Sequence, residues 1–479
     1  MNPSDSLSFR FRPEQQILSL GDGLYDRVKP AEFPQHILRW RDDRGAAEVG
    51  LETLTPQQWV HHFGALQSFE GSIQEPLALR YHGHQFRHYN PQLGDGRGFV
   101  LGQCRDRSGR LMDLGTKGSG VTPWSRGGDG RLTLQGGVRE LLAAELLQAR
   151  GVPTCRILSL VETGEDLQRF DEPSPTRSCV MVRLSHGNWR IGSAQRLSTL
   201  GELSDLQRLI EHHAAHYYPE LGQSADLPLA WLQAVLRRSA DLAAAWMSAG
   251  FVHGVLNTDN LNLSGESFDY GPWRFMPHLD PGMTAAYFDN GGLYSFARQP
   301  GAVLWGLERL AGCLINLRGR EGVKQVLDSY GGLYRRALRQ RVAWRLGVKA
   351  QPDDNRLVSE ISSFLLGNDI TMDDFYHDWH GGLAASQAAL AGPRGRSYSS
   401  PRFAPLRSVL EGFEPAVEAS LLHHSRDPVH LQHIRVEALW QPIADQDDWA
   451  PLQGAIAEIR ALGGQLAQAG EAPTLSPVE

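Results

Sequence analysis

The chain has 479 residues, 41% of them hydrophobic and 21% charged, a globular balance that excludes a fibrous or disordered protein. That length accommodates about two or three ordinary domains, or one large two-lobed enzyme. A formal net charge of −7 excludes a general nucleic-acid binder, which would be basic, so no nucleic-acid partner is expected.

Residues 1–75 mix short apolar pieces with Pro30, Pro34 and Pro56 and are expected to form an irregular N-terminal extension that wraps the body. Met1–Gln16 sets Phe9 and Phe11 among polar residues and lacks the ~7–15 apolar residues of a secretory signal. No stretch reaches the ~18 apolar residues of a membrane span, so a cytoplasmic protein with no membrane partner is expected.

Residues 76–190 are strand-rich, with Phe99–Gln103, Leu111–Thr116, Ile157–Glu162 and Cys179–Leu184 as strands. One helix interrupts them. Val138, Leu141, Leu142, Glu145 and Leu146 recur at helical spacing within Leu134–Arg150, and Gly151-Val152-Pro153 ends it. Residues 191–391 are helical, with Pro228–Ala249 closed by Gly250, then Ala302–Leu317 and Val323–Leu346. Within 392–479, the stretch from Gly392 to Pro401 reads as a linker, followed by helices to about Gln468 and a disordered polar tail, Ala469–Glu479. A strand-rich lobe followed by a helical lobe is an α+β arrangement. Cys104, Cys155, Cys179 and Cys313 form no C-x-x-C pair and are expected as buried structural thiols.

The most informative segment is Phe251-Val252-His253-Gly254-Val255-Leu256-Asn257-Thr258-Asp259-Asn260, between the long helix and Leu261-Asn262-Leu263, read as a short strand. Kinase-type phosphotransferases place H-x-D-x-x-x-x-N here, the Asp as base and the Asn on the metal. His253 and Asn260 keep that separation, and Asp269-Tyr270-Gly271 stands where D-F-G would. Val255 fills the usual base position and cannot accept a proton. The loop's carboxylate is Asp259, placed to take a proton from an attacking hydroxyl. Asn260 and Asp269 supply the oxygen ligands that Mg²⁺, or Mn²⁺, needs around a triphosphate. The competing reading is an Asn/Asp-rich turn before a strand.

Lys117 ends a strand and Glu140 follows on the helix. In kinase-like folds a strand lysine holds phosphate oxygens and a helix glutamate orients it; a solvated lysine and a glutamate favouring the helix's first turns are the alternative. Gly94-Asp95-Gly96-Arg97-Gly98 reads as a hairpin turn, a phosphate-facing loop, or both. Asp129-Gly130-Arg131, inside the Gly- and Arg-rich run from Gly118, is a phosphate-facing or a plain surface loop. Arg183 and Arg190 are either surface arginines or a bidentate clamp on a phosphate. His82, His84 and His88 lack an accompanying acidic or cysteine ligand pattern and are expected in packed or hydrogen-bonded roles.

Together these blocks resemble the selenoprotein O (SelO/YdiU) family of kinase-fold protein adenylyltransferases. The blocks are YHGHQFRHYNPQLGDGRGFVLGQ (81–103), DLGTKGSGVTPWSRGGDGR (113–131), the Arg139-Glu140 helix, FVHGVLNTDNLNLSG (251–265) and DYGPWRFM (269–276). They span roughly 80 to 300, and the region beyond about 390 reads as divergent from the family. The resemblance implies a protein-kinase-like two-lobed fold: nucleotide-binding N-lobe 76–190, helical C-lobe 191–391 with the catalytic and metal loops, and terminal extensions. It also implies an ATP reversed relative to kinases, so that AMP passes to Ser, Thr or Tyr hydroxyls of protein substrates. Gly94, Gly96, Arg97, Lys117, Asp129, Gly130, Arg183, Arg190 and Asp269 would then hold ATP. Asp259 would be the base, with Lys117 and Glu140 as the positioning pair, and Asn260 with Asp269 would bind Mg²⁺ or Mn²⁺. The alternatives are uridylyl transfer, orthodox phosphoryl transfer, or a nucleotide-binding pseudokinase scaffold.

Overall fold

The computed structural model describes residues 10–170, 173–351, 354–417 and 427–475; the first nine residues of the Met1–Gln16 stretch and the last four of the expected tail lie outside them. The strands in chain order are β1 (Pro13–Glu14), β2 (Tyr25–Arg27), β3 (Ile37–Arg41), β4 (Leu77–Leu79), β5 (Gly83–Gln85), β6 (His88–Asn90), β7 (Val100–Arg105), β8 (Leu111–Lys117), β9 (Leu132–Thr133), β10 (Arg156–Leu167) and β11 (Thr176–Ser185). Nine of them form one antiparallel sheet in the order β2-β4-β7-β8-β11-β10-β3, with β1 on β7 and β9 on β11, while β5 and β6 pair separately. The expected strands at 99–116 and 157–184 are four of the five inner strands, β7, β8, β10 and β11; the fifth is β4. Residues 1–75 do more than wrap: β2 and β3 supply both edges of the sheet's main path.

β8 is buried at every position, so its side chains divide between two covered faces with period two. Met112, Leu114, Val180 and Val182 join Trp59 and Phe63 on the face covered by helices α1 (Asp43–Val49) and α2 (Pro56–Phe63). Leu111, Cys179 and Met181 join Val138, Leu141 and Leu142 of α3 (Leu134–Ala149) on the other. Lys117 and Arg183 share the odd-numbered parity of that second face, and register sets Met181 beside Lys117 and Arg183 beside Gly115. Alternation alone therefore points both cations toward α3. The α3 helix, capped by Thr133 accepting from Gly136 N, is buried nearly all round because the helix Ala450–Leu466 covers its back.

The second half is helical: α4 (Ile191–Leu200), α5 (Leu203–His216), α6 (Leu227–Ala249), α7 (Gln299–Arg318), α8 (Arg320–Asp328) and α9 (Tyr330–Arg345). Asp226 caps α6, accepting from Leu229 N. Gly250 ends it in the left-handed region, its N–H bonded to Met247 and Trp246 carbonyls. The chain enters β12 (Phe251–Val252), which pairs with β13 (Arg274–Phe275), so residues 253–273 form a loop held at both ends.

Four expectations give way. Val323–Leu346 is two helices, α8 and α9, parted at Ser329, whose hydroxyl donates to Val326 O just before the poor helix formers Gly331 and Gly332. Leu261-Asn262-Leu263 shrinks from a strand to a single antiparallel bridge, Asn262 opposite Arg190, with Ile191 N donating to Leu261 O and Leu263 N to Trp189 O; beyond it Asn262 Oδ1 accepts from Ser264 N and turns the chain away. The expected linker from Gly392 to Pro401 carries a short helix, Gly395–Tyr398, with Tyr398 buried and Arg394 paired to Asp378 at 2.6 Å. The described part of the expected disordered tail is packed: Gly470 O accepts from Trp344 Nε1, and Leu475 is buried against Ala244 and Ala337. All four cysteines are buried, as expected for structural thiols. Among the described residues no helix is long and apolar enough to cross a membrane.

Candidate active site

Between the sheet's α3-facing side and the 253–273 loop lies a cavity of about 480 Å³, within the ~300–1,000 Å³ of small-molecule sites. Gly94, Gly96, Arg97, Lys117, Asp129, Gly130, Arg183, Arg190, Val255, Asp259, Asn260 and Asp269 all line it. The structure thus brings together residues spread over 175 positions of chain, with Glu140 directly behind Lys117.

Asp269 is the hub. Lys117 Nζ stands 3.1 Å and Arg183 Nη1 2.6 Å from its Oδ1, and Arg190 Nη1 2.8 Å from its Oδ2. Burial would raise this carboxyl, but Lys117, Arg183 and Arg190 outweigh it and hold the group well below the usual carboxylate range. Asp269 sits at φ +56°, an infrequent conformation that Asp tolerates better than most residues. Lys117 donates a second time to Glu140, both side chains being buried. Arg183 and Arg190 are buried as well, which rules out the surface-arginine reading. Phe268 lies under Arg190 at 4.6 Å, and Tyr81 lies 4.8 Å from it.

The loop is set from below by His253. Burial lowers its ring to about 4, so it is neutral, and Nε2 donates to Phe268 O at 3.1 Å, tying the loop to the Asp269 segment. Asn260 Nδ2 donates to Val255 O at 3.0 Å. Arg190 Nη1 also donates to the Asp259 carbonyl at 2.7 Å. The Asp259 carboxylate is itself buried, and its Oδ1 has no hydrogen-bond partner. Burial lifts it to about 6, against the pull of Arg190. A carboxylate held near 6 on a residue that lines the cavity can accept a proton near neutral pH.

As metal ligands, Asn260 and Asp269 are hard oxygen donors that line the same cavity. Among the described residues no group of three His, Cys, Asp or Glu could hold an ion alone. The set suits Mg²⁺, which takes one or two carboxylates and completes its shell with substrate phosphates and water.

Two expected loops differ in detail. Gly94–Gly98 is no hairpin, since β6 and β7 lie in different sheets. It packs under the 122–126 loop, where a Cβ at Gly94 would meet the Trp124 ring at 2.3 Å. Asp129 is exposed and engaged by Arg169 at 2.8 Å, so it reaches the cavity as half of an ion pair. Arg97 is exposed at the rim. His82 and His84 are hydrogen-bonded, to Tyr89 Oη and Gln195. Sequence reasoning missed Asp95, 3.3 Å from Arg190 Nη2, and Arg126 at the rim. Both lay inside the glycine-rich runs, where turn chemistry masked them.

Comparison with known proteins agrees with the resemblance and extends it. The family described as protein adenylyltransferase SelO matches residues 7–460, so the divergence expected beyond about 390 does not hold. A protein nucleotidyltransferase YdiU of Synechocystis sp. is 40% identical, over 96% of this chain and 99% of its own. The protein of the same name from Gloeobacter violaceus is 41% identical over 93% and 94%. That of Rhodopseudomonas palustris (strain TIE-1) is 35% identical over 79% and 78%.

Proposed function

The chain belongs to the protein adenylyltransferase SelO family and is a nucleotidyltransferase, and from that premise we propose that it transfers AMP from ATP to Ser, Thr or Tyr hydroxyls of proteins. The observation that carries this reading is the convergence of Lys117, Arg183 and Arg190 on Asp269 beside a proton-accepting Asp259, with Val255 where a phosphotransferase keeps its base. In this reading the nine-stranded sheet with α3 is the nucleotide-holding lobe of a kinase-like fold, and the helical part is the second lobe.

The buried cations, held in place by Asp269 and Glu140, are the phosphate ligands. Lys117 and the two arginines pay their desolvation in advance through these carboxylates, so they meet a triphosphate pre-oriented. Asn260 and Asp269 would hold Mg²⁺ or Mn²⁺, which supplies charge neutralisation and orientation of the phosphates when bound. The acceptor oxygen attacks the α-phosphorus, its proton passes to Asp259, and the bond from the α-phosphorus to the bridging oxygen breaks to release pyrophosphate. Val255 cannot serve as base, and Asp259 lines the same cavity; attack at the α- rather than the γ-phosphate is what membership of a family described as protein adenylyltransferase implies. The partners are protein substrates and ATP.

Incubation with ATP labelled separately at the α- and γ-phosphate tests this. Protein-bound α-label with release of labelled pyrophosphate is expected; γ-label on protein would make the enzyme a kinase. Substituting α-labelled UTP in the same assay measures base preference.

A further inference from the structure

The residues just before Asp259 are bonded outward by their side chains rather than inward. Thr258 Oγ1 accepts from His84 N at 2.7 Å and donates to Gln195 Oε1 at 2.7 Å. Gln195 Nε2 in turn meets His84 Nδ1 at 2.8 Å, closing a three-residue ring of hydrogen bonds. Asn257 Oδ1 accepts from Phe86 N at 3.0 Å and from Tyr294 Oη at 2.9 Å. These partners all come from the β5–β6 hairpin, α4 and the segment before α7.

The hairpin is held under strain. Phe86 and Arg87 sit consecutively at φ +47° and +67°, a left-handed conformation that non-glycine residues keep only when surroundings over-determine it. The Phe86 N–H bond to Asn257 is one such determinant. Gly83 of β5 lies against the carboxylate: a Cβ there would stand 3.2 Å from Thr258 Oγ1 and 3.3 Å from Asp259 Oδ1. Helix α4 also carries Arg190 at its N-terminus, which bonds the Asp259 carbonyl. One helix therefore fixes Asp259 twice, through Arg190 and through Gln195–Thr258.

We infer that Thr258 and Gln195 are positioning residues of the transfer step: with the Gly83–Asn90 hairpin they fix where the Asp259 carboxylate stands relative to the acceptor hydroxyl, without touching the nucleotide. This rests on the function proposed above. Neither Thr258 nor Gln195 lines the nucleotide cavity, so their loss acts on the transfer rate and not on ATP affinity. A displacement of about 1 Å can cost ~10²-fold in rate.

The test compares wild type with Thr258→Val, Thr258→Ser and Gln195→Met, measuring α-label transfer at saturating ATP, ATP affinity by tryptophan fluorescence, and Tm. Thr258→Val is isosteric but lacks the hydroxyl, and Gln195→Met keeps the chain length. Both are expected to slow transfer by about 10- to 100-fold with ATP affinity changed less than about threefold, and Thr258→Ser to recover most of the rate. Valine and methionine variants as fast as wild type would overturn the inference. So would a serine variant as slow as valine, or ATP affinity and Tm falling in step with the rate, which marks a merely structural tie. A wild type that transfers no α-label overturns the proposed function instead, and the two failures are thereby told apart.

Discussion

Lys117 and Glu140 meet as an ion pair sealed between β8 and α3, their side chains 6% and 2% exposed. Glu140 Oε2 lacks a hydrogen-bond partner among the described residues, so Lys117 bonds the buried carboxylate directly while Arg183 acts on it only through space. Lys117→Ala should therefore abolish transfer and also destabilise the protein by about 3–5 kcal/mol, the range for stripping one partner from a buried pair. Adding Glu140→Gln to Lys117→Met should restore much of the denaturation midpoint but none of the activity. Denaturant titration beside the α-label assay separates the two losses.

Arg190 engages Asp269, Asp95 and the Asp259 carbonyl at once. A lysine offers a point charge where a planar fork spans three acceptors. Arg190→Lys should weaken ATP binding by about tenfold or more and lower kcat as well, because the Asp259 carbonyl loses its anchor. Isothermal titration with ATP and initial rates check both, and an unchanged affinity would remove Arg190 from the phosphate site.

Four of the five inner sheet strands, α3 and α6 were legible because their periodicities are strong and their ends carry Gly250 and the Gly151-Val152-Pro153 stop. Lys117, Asp259, Asn260 and Asp269 were legible because their chemistry is local and their spacing restrictive. What stayed hidden depends on long-range packing. That β2 and β3 close the sheet's edges cannot be read from short apolar pieces among prolines. The burial of Arg183 and Arg190 follows from strand parity and the Asp269 turn, neither visible in a lone arginine. The tail looked disordered because it is polar, yet Trp344 and the Leu475 pocket decide its fate from 126 and more positions away.

Asn260 holds its amide nitrogen on Val255 O, which leaves the side-chain oxygen without a hydrogen bond among the described residues. Asn260→Ala should abolish transfer at low Mg²⁺ with partial recovery at high Mg²⁺, and excess chelator should silence the wild type. Transfer that persists in chelator would remove the metal from the mechanism. Binding of Mn²⁺ followed by electron paramagnetic resonance in the presence of ATP reads the site without relying on turnover.

Asp259 carries the sharpest prediction, because the same burial acts on rate and on stability with opposite benefit. Burial raises its carboxyl from 3.8 to about 6. A base must be ionised, so kcat/KM should rise with pH up to about 6 and level above it. Asp259→Ala should be slower by ~10²–10⁴-fold with ATP affinity little changed. Val255→Asp should not create γ-phosphate transfer. For stability the sign reverses. Between 3.8 and about 6 the unfolded chain ionises this group while the folded protein keeps it protonated, so stability falls as pH rises through that window and stays lower above it. That rise, from 3.8 to about 6, corresponds to about 3 kcal/mol. Asp259→Asn, neutral at every pH, should therefore exceed wild type in denaturation midpoint at pH 8 and match it near pH 4. An asparagine variant that is less stable than wild type at pH 8 would mean that the carboxylate is satisfied in the fold, and Asp259 would lose its standing as a base poised for a proton.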